Sequence, residues 1–221
     1  MGEWQMAFES VDVFWSFRSP YSRLIVPDLL ELREDFEVEV NLKPVLPLAL
    51  RNPKSLFDPN DRRAPRYIVR DSMRRGEMLG RPIVYPLKPD PIVQDFASMK
   101  VAEEQPYIHR LTRLGVEASR RGKGLELAGH VSELIFGGGK DWDRGTLLSD
   151  AVSKAGLGLA DLDEAIKGGD HQDEIERNQA ALDASGHWGV PTMVFRGEPF
   201  FGQDRVETLR WRLEKSGIKR R

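Results

Sequence analysis

From Val11 to Phe17 the chain reads Val-Asp-Val-Phe-Trp-Ser-Phe, largely alternating and rich in β-formers, which predicts a strand. Arg18-Ser19-Pro20 follows. Ser19 suits a helix N-cap, and Pro20 the first helical position, where a missing N–H breaks no bond. Leu24, Leu29, Leu30 and Leu32 supply an apolar face to about Glu34, with a kink expected at Pro27. Phe36 to Lys43 alternates strictly and predicts the second strand. Strand, helix and strand in so short a stretch form a βαβ unit with parallel strands and a right-handed crossover.

Pro44, Pro47, Pro53, Pro59 and Pro65 then mark a loop. The periodicity beyond it predicts helices over 66–80, 91–121, 124–136, 144–156 and 159–167, broken at Gly137-Gly138-Gly139 and Gly168-Gly169. A helix over 174–185 precedes an abrupt change at His187-Trp188-Gly189-Val190-Pro191. Thr192 to Phe195 is β-rich, Arg196-Gly197-Glu198 is a turn, and Pro199-Phe200-Phe201 returns, which together predict a hairpin. Gln203 to Ser216 closes with a helix whose Val206, Leu209 and Leu213 share a face. The order is βαβ, a helical block of about 100 residues, then ββα.

Composition narrows the chemistry more than the fold. A net charge of −2 over 221 residues gives no global attraction to nucleic acid, and Lys219-Arg220-Arg221 reads as a solvated end. No apolar run approaches the ~18 residues of a membrane span. Residues 1–10 hold Glu3 and Glu9 without a basic segment and apolar run, so a cytoplasmic location is expected. Cysteine is absent, which excludes disulfides, thiolate metal sites and protein-borne thiol chemistry. His109, His130, His171 and His187 lack metal-ligand spacing, so no metal is expected. Phosphate-loop, nucleophile-elbow and dinucleotide fingerprints are missing.

The element order is the thioredoxin plan. In it a reactive pair sits where the first strand turns into the first helix, opposite a proline, usually cis, that precedes a later strand. Here those positions are Ser19-Pro20-Tyr21-Ser22 and Val190-Pro191. Further matches are Phe17-Arg18 ahead of Ser19, Lys43-Pro44-Val45-Leu46, Arg66-Tyr67 with Arg70-Asp71-Ser72-Met73-Arg74, Gly80-Arg81-Pro82, Gly189 to Thr192, and Phe201-Gly202-Gln203-Asp204-Arg205. In these motifs the chain resembles the family of 2-hydroxychromene-2-carboxylate isomerases and kappa-class glutathione transferases, a branch of the DsbA-like thioredoxin superfamily. The match covers both ends and the start of the helical block; residues 100–170 match in helical character only.

That resemblance implies an α/β, thioredoxin-like fold with an inserted all-helical domain: residues 1–57 and 173–221 for the thioredoxin-like part, 58–172 for the insertion. It also implies glutathione as cofactor, a small unsaturated, aromatic-derived substrate, and a homodimer. Ser19 would orient the glutathione thiolate. A free thiol with a pKa of about 8.5 is only a few per cent ionised at neutral pH, and lowering it by about two units takes roughly 2.7 kcal/mol. A helix N-terminus and a hydroxyl donor can share that work, and they converge at position 19. The Val190-Pro191 edge would pair with the cysteinyl backbone, and the opening of the last helix, Gln203 and Asp204, with the γ-glutamyl end. Arg66 would meet the glycyl carboxylate, and Asn52, or Asn60, would supply an amide. Trp15, Phe17 and Trp188 are candidate walls for an aromatic acceptor. Isomerase and transferase both fit, as does a different small thiol; the rival from another class is a non-catalytic module holding a peptide at the Val190-Pro191 edge.

Overall fold

The structure, a computed structural model, describes residues 9–52, 60–95 and 97–221. The expected domain boundary at 57/58 and most of the first ten residues lie outside these. Strand β1 (Ser10–Trp15), helix α1 (Pro20–Asp35) and strand β2 (Glu39–Pro44) form the expected βαβ unit, with β1 and β2 parallel from Ser10↔Glu39 to Trp15↔Pro44. At the other end, β5 (Thr192–Phe195) and β6 (Glu198–Phe201) form a hairpin, followed by α9 (Val206–Lys215). Arg196 and Gly197 at its tip have φ of 50° and 81°, the left-handed pair that a two-residue turn of this twist requires. β5 lies antiparallel to β1, which completes a sheet of order β2-β1-β5-β6.

β1 is therefore central, with neighbours on both sides, and its Val11, Val13, Phe14 and Trp15 are all buried. Phe17 just beyond it is buried too, edge-to-face on Trp15 with centroids 4.6 Å apart. These rings fill the core, which removes Trp15 and Phe17 from the expected acceptor wall. A strand covered on both faces reads as a nearly continuous apolar run, so its aromatics carry no outward-facing signal.

Between the two halves run α2 (Leu48–Arg51), α3 (Arg63–Met78), β3 (Gln94–Asp95), β4 (Lys100–Val101), α4 (Ile108–Arg120), α5 (Gly124–Phe136), α6 (Leu147–Lys154), α7 (Leu159–Ala165) and α8 (His171–Ala184). Leu111, Leu127, Phe136, Trp142 and Leu162 of this block share one buried apolar cluster with Val11, Val13, Leu24 and Leu29. Two expectations are corrected here. The proline-rich loop contains the single turn α2, and the first part of the expected 91–121 helix is a short β3–β4 hairpin. Gln105, nearly buried, bonds the Val93 N–H and the Val93 and Ala102 carbonyls, and Asp95 accepts from Ala97 and Ser98, so the segment's polar groups are met without a helix. Helix α1 runs unbroken through Pro27.

Candidate active site

Ser19 is the N-cap of α1, in extended backbone geometry, with Pro20 as the first helical residue. Its Oγ accepts the Ser22 N–H at 3.1 Å and donates to the Val190 carbonyl at 3.3 Å. That second bond joins residues 171 positions apart and places the cap against the cis Val190-Pro191 peptide. At 3.3 Å it lies beyond the usual 2.5–3.0 Å of a hydroxyl bond, so the Ser19 proton is weakly committed. The Tyr21 N–H has no backbone acceptor among the described residues, and Pro20 has no N–H to offer. Ser22 is fully buried, and its Oγ has no partner among the described residues. The Ser19 hydroxyl, the Tyr21 N–H and the α1 dipole thus converge on the space in front of Ser19. These groups suit a thiolate sulfur. The Val190 carbonyl, read as an open edge, is already an acceptor for Ser19; the Val190 N–H has no acceptor among the described residues.

Helix α3 meets α1 beside this cap through Tyr21. Tyr21 donates to Asp71 at 2.8 Å, and Asp71 also accepts from Tyr67 and, at 2.5 Å, from Arg74. Arg74 chiefly holds the Asp71 carboxyl below the usual range, against the effect of burial. Burial first, then the Asp71 carboxylate, push the Tyr21 hydroxyl far above its ordinary value, so Tyr21 stays a proton donor at neutral pH. Beside Ser19, Arg18 makes a two-point pair with Asp90, at 2.5 and 2.7 Å, with both side chains largely buried. Burial opposes the Arg18 charge, but Asp90 outweighs it and raises the pKa.

The remaining expected residues are placed unequally. Gly202 donates its N–H to the Pro191 carbonyl at 2.9 Å, which brings Gln203 beside the proline. Yet Gln203 and Asp204 lie in a turn, because α9 begins only at Val206 with Arg205 as its cap; their N–H groups are not those of a helix opening. Gln203 accepts from Arg75 of α3 at 2.9 Å, and Asp204 pairs with Arg205. Both line a shallow pocket of about 250 Å³ with Asp28, Glu31, Val206, Glu207 and Arg210. Arg66 is exposed near the start of α3, and Asn52 is the exposed C-cap of α2. Arg18, Tyr21 and Asp71 stand in the matched motifs without an assigned role, and Arg75 and Asp90 carry no sequence signal. The Arg70-to-Arg74 match marked the segment, but nothing local joins position 71 to 21 or 18 to 90.

An aromatic stack flanks the proline on its other side. His187 lies on Phe201 with centroids 3.9 Å apart and planes 22° apart, and on Trp188 at 5.2 Å; Trp188 and Phe201 remain about 40% exposed. Gly189 is required by close approach: a Cβ there would sit 2.4 Å from the Phe201 ring. Gly189→Ala is expected to cost about 1–3 kcal/mol by overpacking, a Tm loss of roughly 2–12 °C. An unchanged melting curve would show that the Phe201 ring swings aside freely.

A family model described as a DSBA-like thioredoxin domain matches residues 10–214. The chain belongs to that family. Among solved structures, this DSBA-like chain is similar to a 2-hydroxychromene-2-carboxylate isomerase, with 18% identity and a TM-score of 0.70 over 93% of this chain and 95% of that one. It is also similar to the cytosolic disulfide reductase DsbM from Pseudomonas aeruginosa, also solved with GSH, at 14% identity and a TM-score of 0.59, over 93% of this chain and 98% of that one. A periplasmic thioredoxin-like protein from Salmonella enterica serovar Typhimurium aligns at 15% identity and a TM-score of 0.51, over 94% of this chain and 83% of that one. At these identities the likeness speaks for the DSBA-like fold. No curated protein matches the chain by sequence. Among the described residues no helix is long and apolar enough to cross a membrane, and no group of three His, Cys, Asp or Glu side chains could hold a metal.

Proposed function

We propose that the chain is a glutathione-dependent isomerase of the 2-hydroxychromene-2-carboxylate type, or a related glutathione transferase, acting on an unsaturated, aromatic-derived small molecule. The observation that carries this reading is Ser19, in a chain without cysteine, at the helix cap facing the Val190-Pro191 peptide. Glutathione, when bound, would supply a thiolate nucleophile that adds to the substrate and, in an isomerase, leaves again. The chain's own residues do the rest. Ser19 releases its long bond to the Val190 carbonyl and donates to the sulfur, while the Tyr21 N–H and the α1 dipole favour negative charge there. The Val190 N–H meets the cysteinyl backbone as one more strand partner. Gln203 and Asp204 would meet the γ-glutamyl end, Arg66 the glycyl carboxylate, and Asn52 would supply an amide. Tyr21, kept protonated, can donate to substrate oxygen once it parts from Asp71. With no cysteine, a mixed disulfide with the protein cannot form, so the thiol remains available to the substrate.

The test is calorimetric titration with glutathione and S-methylglutathione. Binding at millimolar or tighter Kd, with a thiolate absorbance for glutathione, is expected. No binding of either would sink the reading and turn attention to a peptide held at the same edge.

A further inference from the structure

Three side chains hold the peptide units just ahead of Val190. Arg51 donates through Nη2 to the Trp188 carbonyl at 2.9 Å, and Thr192 Oγ1 donates to the Gly189 carbonyl at 2.8 Å. Between them, the Gly189 N–H donates to His187 Nδ1 at 2.9 Å. The imidazole is clamped as well as bonded, because it lies flat on Phe201. The next N–H along the chain is that of Val190, which has no acceptor among the described residues. It shares a peptide unit with the Gly189 carbonyl that Thr192 holds, while Arg51 and His187 hold the unit before it, so His187 reaches this donor through the Gly189 torsions, which a glycine leaves loose unless its neighbours are fixed.

We propose that His187 is a positioning residue for the thiol ligand: by accepting the Gly189 N–H while stacked on Phe201, it aims the Val190 N–H at the ligand's cysteinyl backbone. The proposal rests on the glutathione reading above and deepens it. As an acceptor, Nδ1 carries no proton, so the working ring is neutral with its proton on Nε2. A second proton must go to Nδ1, where it would face the Gly189 N–H and turn the bond into a repulsion. Among the described residues, the charged groups on this side are Arg51 of α2 and, acting on it, Asp183 of α8. Neither shifts the imidazole, which burial alone holds below its usual range. The ligand therefore binds the neutral form, so affinity is full at neutral pH. It is lost as pH falls through the ring's own pKa, below about 6.5.

S-methylglutathione is the probe, since it has no thiol to titrate. It is titrated against the wild type, His187→Asn and His187→Phe between about pH 5 and 8. An asparagine at 187 can accept the N–H two residues on, as in an Asx turn, but does not titrate. A phenylalanine keeps the stack and removes the acceptor. The wild type should weaken about tenfold toward pH 5, the scale of one lost hydrogen bond. His187→Asn should bind within about threefold of the neutral wild type at every pH, and His187→Phe about tenfold more weakly at every pH. A flat wild-type profile, or a His187→Phe protein that binds like wild type, overturns the proposal and leaves the glutathione reading standing. The proposal falls in the same way if His187→Asn binds as weakly as His187→Phe, because the acceptor is then irrelevant. A wild type that binds S-methylglutathione at no pH sinks the glutathione reading and this proposal with it.

Discussion

Ser19→Ala should lower glutathione-dependent turnover at least tenfold while the protein stays folded. The hydroxyl has two partners to lose. The Ser22 N–H loses its cap, which costs about 0.5–2 kcal/mol of stability. The thiolate loses a charge-assisted donor worth about 1.5–3 kcal/mol, or roughly ten- to hundredfold in rate. Ser19→Thr separates these effects, because it keeps cap and donor and should retain most of the turnover if the γ-methyl fits beside Val190. Steady-state rates and the thiolate absorbance of bound glutathione are the measurements. Equal turnover for wild type and Ser19→Ala would remove the serine from the chemistry and leave it a helix cap.

Asp90→Ala should be the most destabilising single change outside the apolar core. The Arg18 and Asp90 side chains are 18% and 15% exposed, and the carboxylate also accepts the Ile92 N–H at 3.1 Å. Removing it strands a largely desolvated guanidinium, for which about 3 kcal/mol, or roughly 6–12 °C in Tm, is expected. Arg18→Met combined with Asp90→Ala should recover much of that loss, because no charge is then left unpaired. If Asp90→Ala melts with wild type, water reaches Arg18 and the pair contributes no more than a surface bridge. Arg18 directly precedes Ser19, so the single variant should also slow turnover.

The parts of this molecule that could be read from its sequence are those governed by neighbours along the chain. The alternation in 11–17 and 36–43, the Ser19-Pro20 cap and the Arg196-Gly197 turn each announce themselves within a few residues. The facing of Ser19 and Val190-Pro191 came from the motifs and their order, and the structure brings them within a hydrogen bond. The β3–β4 hairpin was hidden because Gln105, Asp95 and Ser98 meet its polar groups by side-chain bonds that leave no periodic trace. The Asx turn at Asp95, beside Pro91 and Pro106, was the signal available. Trp15 and Phe17 misled because an aromatic on a central strand looks the same in sequence as one lining a cleft. The Tyr21–Asp71 and Arg18–Asp90 pairs join residues 50 and 72 positions apart, where chain neighbours carry no information.

The central place of β1 also sets a timetable. One of its edges is met by β2 within a few dozen residues, but the other waits for β5, which begins at Thr192. At the ribosome's pace of about 5–20 residues per second, that second edge stands open for roughly 10–35 s while the helical block is made. A nascent chain must therefore carry an unpaired, strongly apolar strand until Thr192 to Phe195 emerge, in the company of many other unfinished chains. The finished protein gives no sign of this exposure, since the strand most at risk during birth ends with a partner on each edge.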